Sequence, residues 1–119
     1  MSGGGFKPLR WVGRAREELR AFPSKARRNI GYALYFAQLG DKHPSAKPLK
    51  SFGGSGVLEI VEVRDGNAYR VVYTVRFARF VYALHAFQKK SKKGIETPKA
   101  TMDVVRTRLK WAEAQERQA

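Results

Sequence analysis

Residues 58–88 read LEIVEVRDGNAYRVVYTVRFARFVYALHAFQ and decide the fold class. Asp65-Gly66-Asn67 is typical of a tight hairpin turn. On either side of that turn the chain is rich in Val, Ile, Tyr and Phe, which favour strands. The stretch therefore predicts an antiparallel meander of three strands, Leu58 to Arg64, Ala68 to Phe77 and Phe80 to Gln88.

Two helical patterns precede the meander. Apolar residues recur at three- and four-residue intervals from Val12 to Phe22, and Pro23 ends that pattern. Ser24 is expected to cap a second helix that ends at about Gly40. The two helices should form a helical hairpin.

The remaining segments complete the predicted topology. Phe6 to Trp11 is expected to form a short edge strand, where Pro8 is tolerated, and residues 41–56 to form a basic loop. Thr97-Pro98 is expected to begin a final helix. The order β-α-α-β-β-β-α predicts an α+β fold in which the helices lie on one face of a small sheet, with the C-terminal helix as the last element.

The length of 119 residues is typical of one domain. We expect a flexible tail at residues 1–6, a single domain at residues 7–115 and a C-terminal tail at residues 116–119. The chain has no cysteine, which excludes disulfides, thiolate zinc sites and a cysteine nucleophile and is compatible with a cytoplasmic location. The N-terminus does not resemble a signal peptide, and no apolar run is long enough to span a bilayer. No cofactor or metal is expected, because the two histidines and the scattered acids do not form a ligand set.

The chain is strongly basic, with 24 Lys and Arg residues, 10 Asp and Glu residues and a formal net charge of +14. From Arg64 to Lys93 there are eight basic residues and one acid, Asp65. A strand pair with this much positive charge favours a polyanionic partner such as nucleic acid.

Side-chain alternation separates the two faces of the central strand. Tyr69, Val71 and Tyr73 point to the predicted core, whereas Arg70 points to the other face. If residues 78–79 form a two-residue turn, the strand register places His85 on the same face as Arg70. A turn one residue longer would move His85 to the opposite face.

An arginine and a histidine on one basic face are the groups needed to cleave RNA without a metal. Arginine can bind the scissile phosphate through two donors and stabilise the charge that grows in the transition state. Histidine titrates near neutral pH and can accept the 2′-hydroxyl proton or donate a proton to the leaving oxygen. The 2′-hydroxyl would be the nucleophile, which makes the chemistry specific for RNA.

Four motifs in the chain resemble a known toxin family: KPLKSFGGSGVLEI at residues 47–60, YRVVY at 69–73, HAFQKKSKK at 85–93 and Thr97-Pro98. From about Lys7 to Ala112 the chain is similar to the HigB-type, phage-derived branch of the RelE/ParE toxin superfamily. The resemblance implies a β-α-α-β-β-β-α toxin, paired with a HigA-like helix-turn-helix antitoxin. It also implies that the protein enters the ribosomal A site and cuts translated mRNA.

The resemblance assigns roles to individual residues. Arg70 matches the phosphate-binding arginine of the family, and residues 89–93 match its basic motif after the last strand. The expected catalytic residues are Arg70, His85 and Lys89, and the expected RNA-binding residues are Lys47, Lys50, Arg76, Lys90, Lys92 and Lys93. The chain departs from the family at Val61, where many relatives are basic, and it lacks the late tyrosine of several RelE-type enzymes.

Other interpretations of these residues stay open at this point. Arg70 could form a salt bridge with Glu59 or Glu62 across the sheet, and His85 could be a histidine bonded within the sheet. The same fold in ParE-like relatives inhibits DNA gyrase without nuclease chemistry, and a non-catalytic RNA-binding module is a third possibility. Exposed apolar residues of the helical hairpin could accept an antitoxin helix.

Overall fold

A computed structural model describes residues 6–52, 56–90 and 98–118. These residues form a mixed α+β fold, as predicted. Its elements are β1 (Leu9–Trp11), α1 (Ala15–Arg20), α2 (Ser24–Gln38), β2 (Ala46–Pro48), β3 (Val57–Arg64), β4 (Asn67–Thr74), β5 (Val81–Lys90) and α3 (Lys99–Gln118). The segment expected to be a loop therefore contains the short strand β2, and a 3₁₀ turn at Lys50–Phe52 follows it.

The strands form one sheet in the order β1-β5-β4-β3-β2. The meander β3-β4-β5 is antiparallel, and β2 extends it by pairing with β3. The edge strand β1 is confirmed and pairs in parallel with the start of β5, from Val81 to Ala83. Pro8 lies just before β1, where its missing N–H costs no ladder hydrogen bond.

The first hairpin has the turn that its sequence predicts. Arg64 pairs with Asn67, which leaves Asp65 and Gly66 as the two turn residues. Their φ angles are 51° and 79°. Positive φ at both central positions is the type I′ geometry that matches the twist of paired strands, and glycine adopts it without strain.

The second connection is longer than expected, so the predicted two-residue turn is wrong. β4 ends at Thr74 and β5 begins at Val81. Lys7 holds the intervening chain by donating from Nζ to the carbonyl oxygens of Val75 and Phe77, at 3.2 and 2.8 Å. These contacts stabilise a loop at the position where, with a tight turn, β4 and β5 would continue to pair.

A β-bulge nevertheless restores the predicted pairing further along the hairpin. Val72 is opposite His85, but Tyr73 is opposite Ala83, so Leu84 is an extra residue in β5. This one-residue shift offsets the different length of the connection. Arg70 is consequently opposite Phe87, and His85 lies on the face of the sheet that carries Arg70.

Each face of the sheet packs against helices through its own apolar cluster. α1 and α2 cover one face with side chains that include Ile30 and Leu34, which pack around Val71. α3 packs on the opposite face, where Val105 belongs to the same cluster as Val72. The expectation that the helices share one face is therefore wrong for α3. The adjacent residues Val71 and Val72 point to opposite faces, and each face has its own helical cover.

The helix ends differ from the prediction in detail. α1 is confined to Ala15–Arg20, and Ser24 is the first residue of α2 rather than a side-chain cap, because Pro23 occupies the cap position. α3 continues to Gln118, so most of the expected C-terminal tail is helical. Thr97 lies outside the described residues. Among the helices in the described ranges, none has the length and apolar character needed to cross a membrane.

Two leucine substitutions, one in α2 and one at its C-terminal cap residue, test the packing of the inner face of the helix. Leu34 is 1% exposed and Leu39, at the end of the helix, is 39% exposed. We expect Leu34→Ala to lower the free energy of unfolding by about 3 kcal/mol, because it leaves a cavity between α2 and the sheet. The matched change Leu39→Ala should cost less than about 1 kcal/mol. Urea unfolding at pH 7 measures both, and equal losses would contradict the described orientation of α2.

Candidate functional site

The strand register brings five ionisable side chains to one face of the sheet. β2 contributes Lys47, β3 contributes Glu59, β4 contributes Arg70, and β5 contributes His85 and Lys89. We call these five residues the charged face. The charged face is on the side of the sheet that α3 covers. Near the β3–β4 turn this side is open to solvent, since Val63 is 61% exposed there. The structure thus groups four of the residues that the sequence predicts for the site and adds Glu59.

Arg70 forms a salt bridge with Glu59, as one interpretation of the sequence proposed. Arg70 Nη1 lies 3.2 Å from each carboxylate oxygen, and Lys47 Nζ lies 3.8 Å from Glu59 Oε1. The two cations cover Glu59, which is only 4% exposed. The carboxylate offsets part of the positive charge at this point.

The salt bridge leaves part of the Arg70 guanidinium available. Only Nη1 donates to Glu59, and Arg70 Nη2 makes no hydrogen bond to any residue in the described ranges. Arg70 Nε is buried without a partner there. Because a guanidinium has five N–H donors, the two on Arg70 Nη2 can bind an anion while Nη1 stays on Glu59.

His85 has a hydrogen-bond partner, but that partner lies outside the sheet. Its Nδ1 is 2.8 Å from Oε1 of Glu18 on α1, and its ring stacks on Phe87 with centroids 5.1 Å apart and an interplanar angle of 29°. Among the described residues, His85 Nε2 has no hydrogen-bond partner. One ring nitrogen is therefore occupied by the protein and the other is not.

Glu18 also binds the backbone of β5 where β1 no longer pairs with it. β1 pairs with β5 only as far as Ala83, and beyond that point the N–H of Ala86 donates to Glu18 Oε1 at 3.1 Å. Arg108 of α3 donates to both carboxylate oxygens, at 2.9 and 3.0 Å. Burial disfavours the charged form of Glu18, but the hydrogen bonds from Arg108, Ala86 and His85 outweigh it and lower the pKa of the carboxyl.

Sequence reasoning missed Glu18 and Arg108. Both lie on amphipathic helices with several other charged residues, so their type and spacing do not distinguish them. They are 90 residues apart in the chain, and only the packing of α1 and α3 against β5 brings them together. No local pattern in the sequence signals such a contact.

The other predicted RNA-binding residues lie apart from the charged face or outside the described residues. Arg76 follows the far end of β4 and pairs with Glu113 of α3 at 2.6 Å. Lys50 is exposed on the 3₁₀ turn after β2. Lys90 ends β5 opposite Asn67, and its side chain is outside the described part of the structure. The structure does not describe Lys92 and Lys93.

The arrangement has the composition of a phosphate-binding site with groups that can transfer protons. Arg70 is on the middle strand, between Glu59 on β3 and His85 on β5. Diagonal neighbours on adjacent strands lie roughly 7–8 Å apart, so a phosphate on Arg70 would have a carboxylate on one side and an imidazole on the other. In the described ranges, no three His, Cys, Asp or Glu side chains are grouped so that they could hold a metal ion.

The family comparison agrees with this fold. A family model described as "Phage derived protein Gp49-like (DUF891)" matches residues 17–110. The chain belongs to this Gp49-like family. The family is part of the RelE/HigB-type toxins, which confirms the resemblance to a phage-derived toxin, whereas membership of the HigB branch stays a prediction. The matched range contains Glu18, Arg108 and the whole charged face of this Gp49-like protein. No curated protein and no solved structure matches the chain.

The lowered pKa of Glu18 predicts an acid-dependent loss of stability. The folded-state pKa of Glu18 lies below the ordinary value of 4.5. The ionised carboxylate therefore makes its full contribution to the free energy of unfolding above pH 4.5. This contribution is lost as the pH falls through the lower, folded-state pKa. Glu18→Gln should lower the free energy of unfolding by about 2 kcal/mol at pH 7, and this difference from wild type should shrink below pH 4.5.

Urea unfolding at several pH values between 7 and 3 measures this difference. The matched control is Glu17→Gln, since Glu17 is an exposed acid on the same helix. This control should lie within about 0.5 kcal/mol of wild type throughout. A constant difference between Glu18→Gln and wild type at all pH values would contradict the described network.

Proposed function

We propose that this protein is the toxin of a type II toxin–antitoxin pair and acts as a ribosome-dependent mRNA endoribonuclease. Its membership of a family of RelE/HigB-type toxins supports the toxin role. The observation that carries the nuclease assignment is the position of Arg70, between Glu59 and His85 and with Nη2 uncommitted among the described residues. No cofactor enters the proposed reaction.

Phosphate binding is the first step of the proposed mechanism. The scissile phosphate binds Arg70 through its outer nitrogen, and Lys47 supplies a second positive charge nearby. Charge-assisted hydrogen bonds of this kind are about twice as strong as neutral ones. They strengthen further as negative charge grows on the phosphoryl oxygens, so they favour the transition state over the ground state.

Two proton transfers accompany the cleavage. The 2′-oxygen attacks phosphorus and the bond to the 5′-oxygen breaks, which gives a 2′,3′-cyclic phosphate and a 5′-hydroxyl. Glu59 accepts the 2′-hydroxyl proton, and His85 donates a proton to the leaving 5′-oxygen. Arg70 and Lys47 cover Glu59 in the free protein. A phosphate bound at Arg70 Nη2 leaves Nη1 on Glu59 but competes with Glu59 for Lys47, which exposes the carboxylate to the RNA.

The proposed partners follow from charge and exposure. The net charge of +14 draws the protein to ribosomal RNA and mRNA, and the four lysines of residues 89–93 contribute to this charge. The antitoxin is a HigA-like helix-turn-helix protein. Tyr32, Tyr35 and Leu39 are exposed on the outer side of α2 and offer it an apolar surface. All of these partners are cytoplasmic, and we place the toxin there.

The first test removes the phosphate-binding group. Arg70→Ala should lower mRNA cleavage on translating ribosomes by about 10²- to 10³-fold, because it removes transition-state hydrogen bonds. Mapping of mRNA 5′ ends in a reconstituted translation system measures the loss. Arg70→Lys keeps a positive charge beside Glu59 but has no second nitrogen for the phosphate, so it should fold like wild type and still cleave poorly.

Arg64→Ala is the matched control for these arginine variants. Arg64 also pairs with a glutamate, Glu62, but it projects from the opposite face of the sheet, and it should retain cleavage. Near-normal cleavage by Arg70→Ala would overturn the assignment. Ribosome binding with intact mRNA would instead indicate a non-catalytic RNA-binding module, and inhibition of gyrase supercoiling would indicate the ParE-like activity.

The second test concerns the proposed proton acceptor. Glu59→Gln should lower the single-turnover rate of cleavage by about 10²- to 10⁴-fold, because an amide cannot accept the 2′-hydroxyl proton. The matched control is Glu62→Gln. Glu62 is the other glutamate of β3, it accepts a hydrogen bond from Asn29 of α2, and it lies on the face of the sheet opposite to the charged face. That control should cleave at the wild-type rate. If both variants cleaved normally, a different group would have to be the base.

A further inference from the structure

Three elements converge on one carboxylate behind the charged face. Glu18 Oε1 of α1 accepts hydrogen bonds from His85 Nδ1, from the Ala86 N–H and from Arg108 Nη1. Arg108 also donates from Nη1 to the carbonyl oxygen of Leu84, at 2.9 Å. Its guanidinium is therefore bound to the extra residue in β5 that sets the position of His85.

The backbone at Gly13 leaves room for this guanidinium. A Cβ atom at Gly13 would lie 3.1 Å from Arg108 Nε and 3.4 Å from Arg108 Cζ, which is tighter than ordinary contact. The residue has a φ angle of 56°, where glycine is unstrained. Arg108 is thus enclosed by the backbone before α1, by Glu18 and by β5.

The contacts at His85 Nδ1 determine which nitrogen carries the proton in the neutral ring. A carboxylate only accepts, so the 2.8 Å contact with Glu18 requires a proton on Nδ1. Arg108 Nη1 is farther from Nδ1, at 3.3 Å, and already donates to Glu18 and Leu84. The shorter contact decides the assignment, and stacking on Phe87 holds the plane of the ring.

We propose that Glu18 and Arg108 are positioning residues for His85. They hold the neutral ring as the Nδ1–H tautomer, so that Nε2 is the nitrogen that meets the RNA. When the ring is protonated, both nitrogens donate, and Nδ1–H stays on Glu18 while Nε2–H is directed to the leaving oxygen. The kinetic part of this proposal rests on the proposed nuclease function, and the tautomer part does not.

α3 also contributes to the reaction site, because it carries Arg108. Arg108 lies near the middle of α3, and this helix is the only described element that neutralises Glu18 with a fixed guanidinium. Without Arg108, the charge of Glu18 would be unpaired and its rotamer would be free to change. The docking of the C-terminal helix is therefore expected to influence the histidine on β5 through one intermediate side chain.

The tautomer is measured on the whole protein, without RNA. Long-range ¹H–¹⁵N spectra of the histidine rings distinguish Nδ1–H from Nε2–H at a pH where His85 is neutral, and a His85→Gln variant assigns the signals. We expect Nδ1–H in wild type and in Glu17→Gln, and a shift towards Nε2–H in Glu18→Leu, because leucine has no oxygen that could accept from Nδ1–H, whereas glutamine would keep one. An Nε2–H ring in wild type would overturn the proposal.

Kinetics of the same variants test the consequence for cleavage. Glu18→Leu and Arg108→Met should lower the single-turnover rate constant by about 10- to 100-fold, which is part of the effect of general acid–base catalysis, and should change KM by less than about threefold. Glu18→Asp, which restores the carboxylate, should recover part of the rate. Unchanged cleavage by folded Glu18→Leu protein would overturn the positioning role.

The two readouts separate this proposal from the proposed function. If wild type does not cleave mRNA, the nuclease assignment fails, and the spectra alone decide whether Glu18 fixes the ring. Thermal unfolding of each variant verifies that it is folded under the conditions of measurement. If Glu18→Leu proved too unstable, the wild-type spectrum would still decide the proposal, since an Nε2–H ring there overturns it.

Discussion

The hydrogen bonds of the Glu18 carboxylate join parts of the chain that are distant in sequence. β1 is too short to protect the whole outer edge of β5, and an unpaired N–H at a buried edge is costly. Glu18 satisfies the N–H of Ala86 from the neighbouring helix, and Arg108 balances its charge from α3. One ion pair therefore joins α1, the sheet and the last helix. The same ion pair holds the ring of His85 in its position on the charged face.

The guanidinium of Arg70 can serve both as a structural salt-bridge partner and as a phosphate ligand. The sequence suggested either a salt bridge across the sheet or a phosphate ligand. The structure contains the salt bridge, but the pairing with Glu59 engages one guanidinium nitrogen and leaves Nη2 uncommitted among the described residues. A buried carboxylate beside an arginine also keeps the cation in a defined position before any ligand arrives. The ion pair is thus compatible with anion binding.

Much of the fold could be predicted from local patterns, and most of the errors concern contacts between distant segments. The type I′ turn at Asp65-Gly66 and the edge position of β1 follow from residue type alone. The separate burial of Val71 and Val72 could not be deduced, because alternation does not reveal that a second helix covers the other face. The same applies to the site. Arg70 and His85 were placed on one face correctly, although by way of a turn that does not exist, whereas Glu18 and Arg108 carried no local signal.

The bulge at Leu84 has a consequence for how the chain tolerates changes in length. Because pairing between β4 and β5 resumes beyond the bulge in its own register, the position of His85 is fixed by cross-strand contacts and not by the number of residues in the connection. A change in the length of the connection at residues 75–80 therefore does not by itself shift the register at the charged face. An insertion must keep the bonds of Lys7 to Val75 and Phe77 and the pair of Arg76 with Glu113, which leaves the exposed residues 78–79 as the place for a spectroscopic label or a short peptide tag.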